Sequence, residues 1–437
     1  MYAARRKALL DAMGEGVMII PAPPTFIRNN DVEHEYRQGS DLYYLTGFDE
    51  PDSVLLLSTR RPADPQAEPE RRAVLFLRPR DPDRETWDGP RLGIERAPDA
   101  LALDAAFDIA ELDALLPGYL ENIVRVHYRI GLDRRFDERF LTALDVVRVR
   151  ARRGGDYPTE IVDPSVLLHE MRLKKSRAEV DLMRRAAVIT RDAHLAAMKA
   201  ALPGRYEYEV EAELLRTFRT HGSERPAYGS IVGSGPNATI LHYRKNDRRL
   251  EEGDLLLIDA GAEFGYYASD VTRTFPVSGR FSPPQRALYD LVLRAQLAAI
   301  GQVRPGATIE GVHDATVAVL VDGLLELGLL SGDRQEVLDK GEYKKFYMHR
   351  TSHWLGMDVH DVGRYHRAGA PRPFEPGFVL TVEPGLYISP TAEVDPAYRG
   401  IGIRIEDDIL VTADGSENLT YDIPKTATEL EAILSAR

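Results

Sequence analysis

Short apolar runs bounded by turn-forming residues open the chain and predict strands. Val17–Ile20 stops at Pro21, and Val54–Leu57 and Val74–Leu77 repeat the pattern. Between the latter two, Arg60-Arg61-Pro62-Ala63-Asp64-Pro65 is polar and proline-rich and predicts an exposed loop. Helical spacing follows over Ile109–Leu116 and Asp137–Arg150, so the first third reads as a mixed α/β unit. Met1–Gly14 reads as the start of an amphipathic helix. Its Leu9 and Leu10 lead to Asp11 rather than to the apolar stretch of a secretion signal.

Gly154-Gly155-Asp156-Tyr157-Pro158 and Asp163-Pro164 interrupt the pattern. A domain boundary is expected near residue 170, dividing 1–172 from 173–437. Ser176-Arg177-Ala178-Glu179 then has the form of a capping box, in which Ser and Glu satisfy each other's free backbone N–H groups. A long helix through Leu182, Ala186, Ile189 and Ala193 to Pro203-Gly204 is predicted, and a second over Glu207–His221. Strands begin at Ser230, helices recur near Pro284–Val303 and Ile309–Leu327, and strands and turns return from Phe346. No fixed-period repeat is visible.

Composition narrows the chemistry. With 437 residues, 43% of them hydrophobic, the chain can bury a core and form two or three packed units. Its 56 basic against 69 acidic residues give a net charge of −13, which argues against nucleic-acid and anionic-membrane partners. Cysteine is absent, which excludes disulfides, thiolate nucleophiles and Cys-ligated metals. Any metal site must be made of His, Asp and Glu. No apolar run approaches the roughly 18 residues of a membrane span, and a soluble, cytoplasmic protein is expected.

The most informative segment runs from Leu255 to Asp270 and reads as strand, tight turn, strand. A two-residue turn at Phe264-Gly265 would pair Glu263 with Tyr266 and set Asp259 directly opposite Asp270, with Cβ atoms about 4.5–5.5 Å apart. Two such charges need neutralising, by a divalent cation or less well by a shared proton. The alternative is a turn placed elsewhere, with one Asp solvated.

Phe378–Gly385 is an apolar strand ending in Glu383 at a Pro-Gly turn, and Ile401–Ile409 alternates. Period two puts Ile403 and Ile405 on one face and Arg404 and Glu406 on the other. Each Glu has a competing reading as a simple ion-pair partner. His349, His353 and His360 cluster beside Trp354 and Gly356. Oxygen and imidazole donors suit Mn, Zn, Co or Fe. Gly229–Asn237 reads as a glycine-rich loop lining a site, with no helix start after it, and His242 as part of a short strand facing the same cavity. Basic runs Arg148–Arg153 and Arg248-Arg249 read as solvated faces. No Gly-x-Ser-x-Gly elbow is present to anchor a serine hydrolase.

In chain order, Asp259, Asp270, His353, Glu383 and Glu406 resemble the ligand set of the dinuclear "pita-bread" metallopeptidases, over essentially all of 173–437. Tyr36–Phe48, Thr86-Trp87-Asp88-Gly89 and Ile423-Pro424-Lys425-Thr426 resemble aminopeptidase P more narrowly. One departure is Arg350-Thr351, where relatives commonly carry Gly after the first His. The resemblance implies an α+β chain: a C-terminal pita-bread (creatinase/aminopeptidase) fold behind a smaller N-terminal mixed α/β domain. It implies a Xaa-Pro aminopeptidase acting on peptides with Pro second, by attack of a metal-bridging hydroxide.

Two divalent ions per subunit, Mn foremost with Zn or Co as alternatives, are implied. Asp259 would hold one, His353 and Glu383 the other, with Asp270 and Glu406 bridging. Glu383 would shuttle a proton to the leaving nitrogen, His242 and His360 would bond substrate or oxyanion, and Arg404 would orient a bridging carboxylate. His349 and Tyr387 would contact substrate. A homo-oligomer, dimer or tetramer, is implied, with Trp87 on a surface loop as a candidate subunit contact. The rival readings are a prolidase using the same site on dipeptides only, and a non-catalytic peptide-binding module.

Overall fold

The computed structural model describes residues 1–60 and 70–437, so most of the expected loop at Arg60–Pro65 lies outside the described residues. The chain divides into two compact units, Met1–Met171 and Arg172–Arg437.

In the first unit, the apolar runs form a six-stranded mixed sheet. Its order is Ala105–Asp108, Glu70–Leu77, Val54–Arg60, Gly16–Pro21, Arg125–His127 and Glu160–Val162. The central strands are antiparallel and the outer ones parallel. The helices Leu112–Leu120 and Arg134–Ala151 cover one face, where Leu116, Leu120, Phe140 and Leu144 pack on Val17, Ile19 and Phe76. The first helix, Tyr2–Met13, is not simply amphipathic. Arg5 and Arg6 are buried, and their guanidinium groups donate to the carbonyls of Tyr44 and Leu45 at 3.0 and 2.7 Å. Trp87 is 85% exposed, but it stands on the short helix Pro82–Asp88 and not on a loop.

The second unit opens with the helix Arg177–Ala200, started by the Ser176/Glu179 capping box. A helix pair followed by antiparallel strands occurs twice along this unit. Arg177–Ala200 and Glu207–Thr220 precede the sheet Ile231–Ser234, Leu255–Asp259 and Thr272–Pro276. Pro283–Ile300 and Ile309–Glu326 precede the strands Val379–Val382, Asp407–Val411 and Ser416–Asn418, together with the pair Gly385–Tyr387 and Gly402–Arg404. One large core joins them, with Ile189, Val210, Phe218, Leu256, Phe275, Leu291 and Ile403 fully buried.

The hairpin turn lies one residue beyond its expected place. Gly265 and Tyr266 form it, both at positive φ (56° and 69°), as a two-residue turn of the type that fits the strand twist requires. Phe264 therefore pairs with Tyr267 and Glu263 with Ala268. Side-chain anchors hold this register. Arg225 bonds Glu263 at 2.6 Å, and the Tyr267 hydroxyl donates to Glu179 at 2.8 Å. Asp259 consequently faces Thr272, not Asp270. The displacement is an even number of positions, so both aspartates keep to one side, diagonal rather than opposed.

Four further local expectations change. Gly229–Asn237 is not all loop: it contains the strand Ile231–Ser234, and a 3-10 turn over Gly235–Thr239 begins inside it. His242 lies in a turn rather than a strand. The alternating run Ile401–Ile409 is split at Ile405-Glu406 between two sheets. Arg248 is no solvated charge but is half-buried, bonding Ser234 at 2.8 Å and pairing with Asp254.

Candidate metal centre

Each half of the second unit ends its strands at the same cavity, of about 450 Å³. Leu255–Asp259 is a buried strand whose last residue is Asp259. The chain then turns so tightly that a Cβ on Gly261 would lie 1.7 Å from the Ser269 carbonyl oxygen, a contact only glycine permits. That close approach brings Asp270 back beside Asp259. From the other half, Val379–Val382 ends immediately before Glu383, whose N–H donates to the Thr351 carbonyl at 2.8 Å. Glu406 sits at the break between two strands, its N–H bonded to the Thr272 carbonyl at 3.1 Å. Asp259, Asp270, His353, Glu383 and Glu406 all line the cavity.

Within it, one donor atom from each of Asp270, His353 and Glu406 falls inside a span of 4.8 Å. The His353 Nε2 lies 3.4 Å from both Asp270 Oδ2 and Glu383 Oε1. Its Nδ1 is 3.0 Å from the Trp354 carbonyl, which can only accept. Nδ1 thereby keeps its proton, so a cation that displaces the proton from Nε2 would meet the lone pair a ligating imidazole offers.

The carboxylates are buried together, and their protonation is shifted accordingly. Burial raises Glu406 well above the ordinary range, and the charges of Asp270, Glu383 and Asp259 add to it. Glu383 is pushed up to about 7, again first by burial and despite His353 and Arg404. Asp259 is raised by burial against the opposing pull of Arg404. At His353, burial opposes the charged form, yet Asp270 and Glu383 outweigh it and hold the imidazole up to about 9. Four carboxyl groups converging with one imidazole form an oxygen-rich cage. It is the donor set that suits hard or borderline divalent cations, and such a cation would relieve the repulsion.

A hydrogen-bond network backs the carboxylates. Arg404 is buried, and its Nη2 donates to Asp259 at 2.6 Å, its Nη1 to the Tyr387 hydroxyl at 2.9 Å and its Nε to Thr272 Oγ1 at 3.0 Å. Thr272 passes the connection on, donating to Glu406 at 2.6 Å. Arg404 thus bonds Asp259 directly and reaches Glu406 only through this threonine. His349 Nε2 lies 2.9 Å from the Tyr387 hydroxyl, and burial lowers its pKa to about 3, with Arg404 adding to the effect. His360 stands edge-on to His353 with ring centres 4.4 Å apart, and His242, exposed, borders the cavity. Tyr387 is buried behind His349 and is not among the cavity-lining residues.

Two residues of the site, Tyr228 and Asp408, were not picked out from the sequence. The Tyr228 hydroxyl reaches an oxygen of both Asp259 and Asp270. Asp408 accepts from Ser269 Oγ at 2.8 Å and from the Asp270 N–H at 3.2 Å, fixing the peptide that carries the Asp270 carboxylate. The alternation that exposed Glu406 placed Asp408 on the same face, which was the available hint. For Tyr228 only its place before the glycine-rich segment pointed to the cavity.

Residues 181–413 match the model of metallopeptidase family M24, and residues 2–127 match the aminopeptidase P N-terminal domain. The Xaa-Pro aminopeptidase of Escherichia coli is 44% identical over 436 residues, covering 100% of this chain and 97% of the relative. The structure of Pseudomonas aeruginosa aminopeptidase PepP superposes with a TM-score of 0.95 at 51% identity, covering 100% of this chain and 97% of that one. An Escherichia coli aminopeptidase P variant solved in complex with substrate gives the same TM-score at 44% identity, covering 100% and 98% of the two chains. With these matches, the cage of carboxylates and imidazole has a lineage: the chain belongs to metallopeptidase family M24, with the pita-bread fold, and within it to the aminopeptidase P group.

Proposed function

We infer that the chain is a metal-dependent Xaa-Pro aminopeptidase, releasing the first residue from peptides whose second is proline. The observation that carries this is the convergence of Asp270, His353 and Glu406 donor atoms within 4.8 Å on the floor of an open cavity. The chain matches Xaa-Pro aminopeptidases over its whole length. We assign the domains as 1–172 and 173–437.

Asp259, Asp270, His353, Glu383 and Glu406 would hold two divalent ions, with manganese our first choice and zinc or cobalt the alternatives. Bound there, the pair would supply a water activated near neutral pH and polarise the scissile carbonyl. The remaining work falls to the chain's own groups. Arg404 and Thr272 hold Asp259 and Glu406 in place. Glu383, beside His353, is positioned to carry a proton to the proline nitrogen as the bond breaks. That nitrogen is a tertiary amide with no N–H, so a peptidase that recognises this hydrogen fails on it. His242 and His360, at the cavity wall, would donate to the substrate backbone or the developing oxyanion. His349 would contact substrate, with Tyr387 bracing it.

Metal content and Xaa-Pro-Yaa cleavage, measured together for wild type and Asp270→Ala, test this reading. Both should vanish in the variant; full activity would overturn the ligand assignment. Cleavage of Xaa-Pro dipeptides with tripeptides inert would indicate a prolidase. No hydrolysis with Mn²⁺, Co²⁺ or Zn²⁺ would indicate a binding module. We place the enzyme in the cytoplasm as a dimer or tetramer with Trp87 at a subunit contact, which fractionation and light scattering check. No helix among the described residues is long and apolar enough to cross a membrane.

A further inference from the structure

Two arginines border the cavity without a part in the chemistry above. Arg244 and Arg350 both line it, and both side chains are exposed. Among the described residues, neither guanidinium has an ion-pair or hydrogen-bond partner. The buried arginines of this unit behave differently: Arg404 pairs with Asp259, Arg273 with Asp407 and Arg172 with Asp361.

Their backbones are anchored although their side chains are free. His349 Nδ1 bonds the Arg350 carbonyl at 2.8 Å. The next residue, Thr351, is fully buried, with its hydroxyl held by His313 at 2.9 Å and by Tyr347 at 2.7 Å. Arg244 follows Tyr243, whose hydroxyl donates to the buried Glu207 at 2.7 Å. Two cations are therefore presented at fixed stations on the rim of a cavity floored by carboxylates.

This placement matters in a chain of net charge −13. That net charge disfavours an anionic peptide, and the two guanidinium groups oppose the repulsion at the rim. An exopeptidase holds the residue to be released innermost, so the chain beyond the proline leaves across the rim. We propose that Arg244 and Arg350 form a carboxylate-binding rim that selects peptides carrying an acidic group after the proline. That group is either an Asp or Glu side chain or the free C-terminus of a short peptide. The proposal rests on the Xaa-Pro aminopeptidase reading and supplies its substrate preference.

The test uses Ala-Pro-Asp-Ala-amide against Ala-Pro-Asn-Ala-amide, isosteric and differing by one charge, and Ala-Pro-Asn-Ala as free acid to isolate the C-terminal carboxylate. Exposed ion pairs are individually weak, so the two arginines together should favour the acidic peptide by about twofold to thirtyfold in kcat/KM, carried by KM. The preference should shrink in about 0.5 M salt. In R244Q/R350Q the Asp-to-Asn ratio should fall to near one. A preference for the free acid over the amide, with Asp and Asn alike, would assign the rim to the C-terminus.

Calorimetric binding of the product analogues Pro-Asp-amide, Pro-Asn-amide and Pro-Asn free acid to the metal-loaded enzyme separates this from the activity itself. If no peptide is cleaved but an acidic product binds tighter in an arginine-dependent way, the rim stands and the activity reading falls. If all peptides and products behave alike in wild type, or a preference survives in R244Q/R350Q, the rim is overturned.

Discussion

Thr272 is the residue whose replacement tests most directly how the centre is held together. It is fully buried at the strand position facing Asp259. Its single hydroxyl accepts from Arg404 Nε at 3.0 Å and donates to Glu406 at 2.6 Å. Thr272→Val keeps the shape and removes both bonds. The bond to the Arg404 guanidinium involves a charged group and is worth about 1.5–3 kcal/mol; the bond to Glu406, which burial holds towards its neutral form without metal, is worth about 0.5–1.5 kcal/mol. Relaxation of the neighbours reduces the sum, so a loss of about 3 kcal/mol in the metal-free protein is expected.

The larger consequence is for metal binding. Removing a group that orients a ligand typically costs about 10–100-fold in metal affinity. That corresponds to about 1.4–2.7 kcal/mol, and at saturating metal it adds to the stability gap between variant and wild type. Urea unfolding with chelator and with excess Mn²⁺ gives the two quantities separately, and isothermal titration gives the affinity directly. Thr272→Ser, which keeps the hydroxyl, should restore most of the affinity. If Thr272→Val unfolds at the wild-type urea midpoint and binds Mn²⁺ with wild-type affinity, the hydroxyl does not connect Arg404 to Glu406 and the account of the site's rigidity fails.

Other outcomes follow from buried charges away from the cavity. His194 is fully buried, with Nε2 3.1 Å from the Ala260 carbonyl, and its pKa is lowered from 6.5 to about 4, by burial first and then by Arg273. The unfolded chain binds this proton more readily, so its contribution is present above pH 6.5 and lost as pH falls towards 4. It amounts to about 3 kcal/mol. His194→Asn should flatten the urea midpoint against pH over that window, and an unchanged slope would refute it. Asp361 bonds buried Lys175 at 2.9 Å and buried Arg172 at 2.7 Å, just behind His360. Asp361→Asn should cost about 3–5 kcal/mol, because buried Lys175 loses its counter-charge and Arg172 loses one of two, keeping Asp358 at 2.7 Å; a urea midpoint near wild type would argue against it. Gly261→Ala should weaken metal binding by displacing Ser269 and Asp270, and unaltered Mn²⁺ titration would count against that close approach.

What was legible beforehand was what short-range physics decides. The Ser176 capping box, the long helix after it and the apolar strands follow from neighbours a few residues apart, and they stand in the structure. Period-two alternation sent Ile403 and Ile405 to the core and Arg404 and Glu406 to the cavity. It did so across a strand break it could not reveal, since each residue's side is set by the pleat and the break by which sheet receives the next segment. The hairpin failed by one position for a related reason. Gly265 announces a turn, but whether it takes the first or second place depends on Arg225 holding Glu263 and Glu179 holding Tyr267, contacts 38 and 88 residues distant in sequence.

The same division explains why the cavity's acids could be picked out but not their support. A carboxylate at the end of a buried strand is conspicuous because burial without a partner is costly. Tyr228, Thr272 and Asp408 look ordinary, since a buried hydroxyl or acid acquires meaning only from what the fold sets against it. Here that setting comes from both halves of the second unit. Asp259 and Asp270 arise from the strands after the first helix pair, and His353, Glu383 and Glu406 from the segments after the second. The bonds across the divide, among them Arg404 to Asp259, Thr272 to Glu406 and Asp408 to the Asp270 N–H, therefore join the halves at the cavity. Metal binding should then be coupled to the packing of the halves, because a cation gripped from both sides binds only while they are closed on each other. Hydrogen exchange of the Leu255–Asp259 and Val379–Val382 amides should slow together on adding Mn²⁺. Slowing in one strand alone would mean that one half holds the metal by itself.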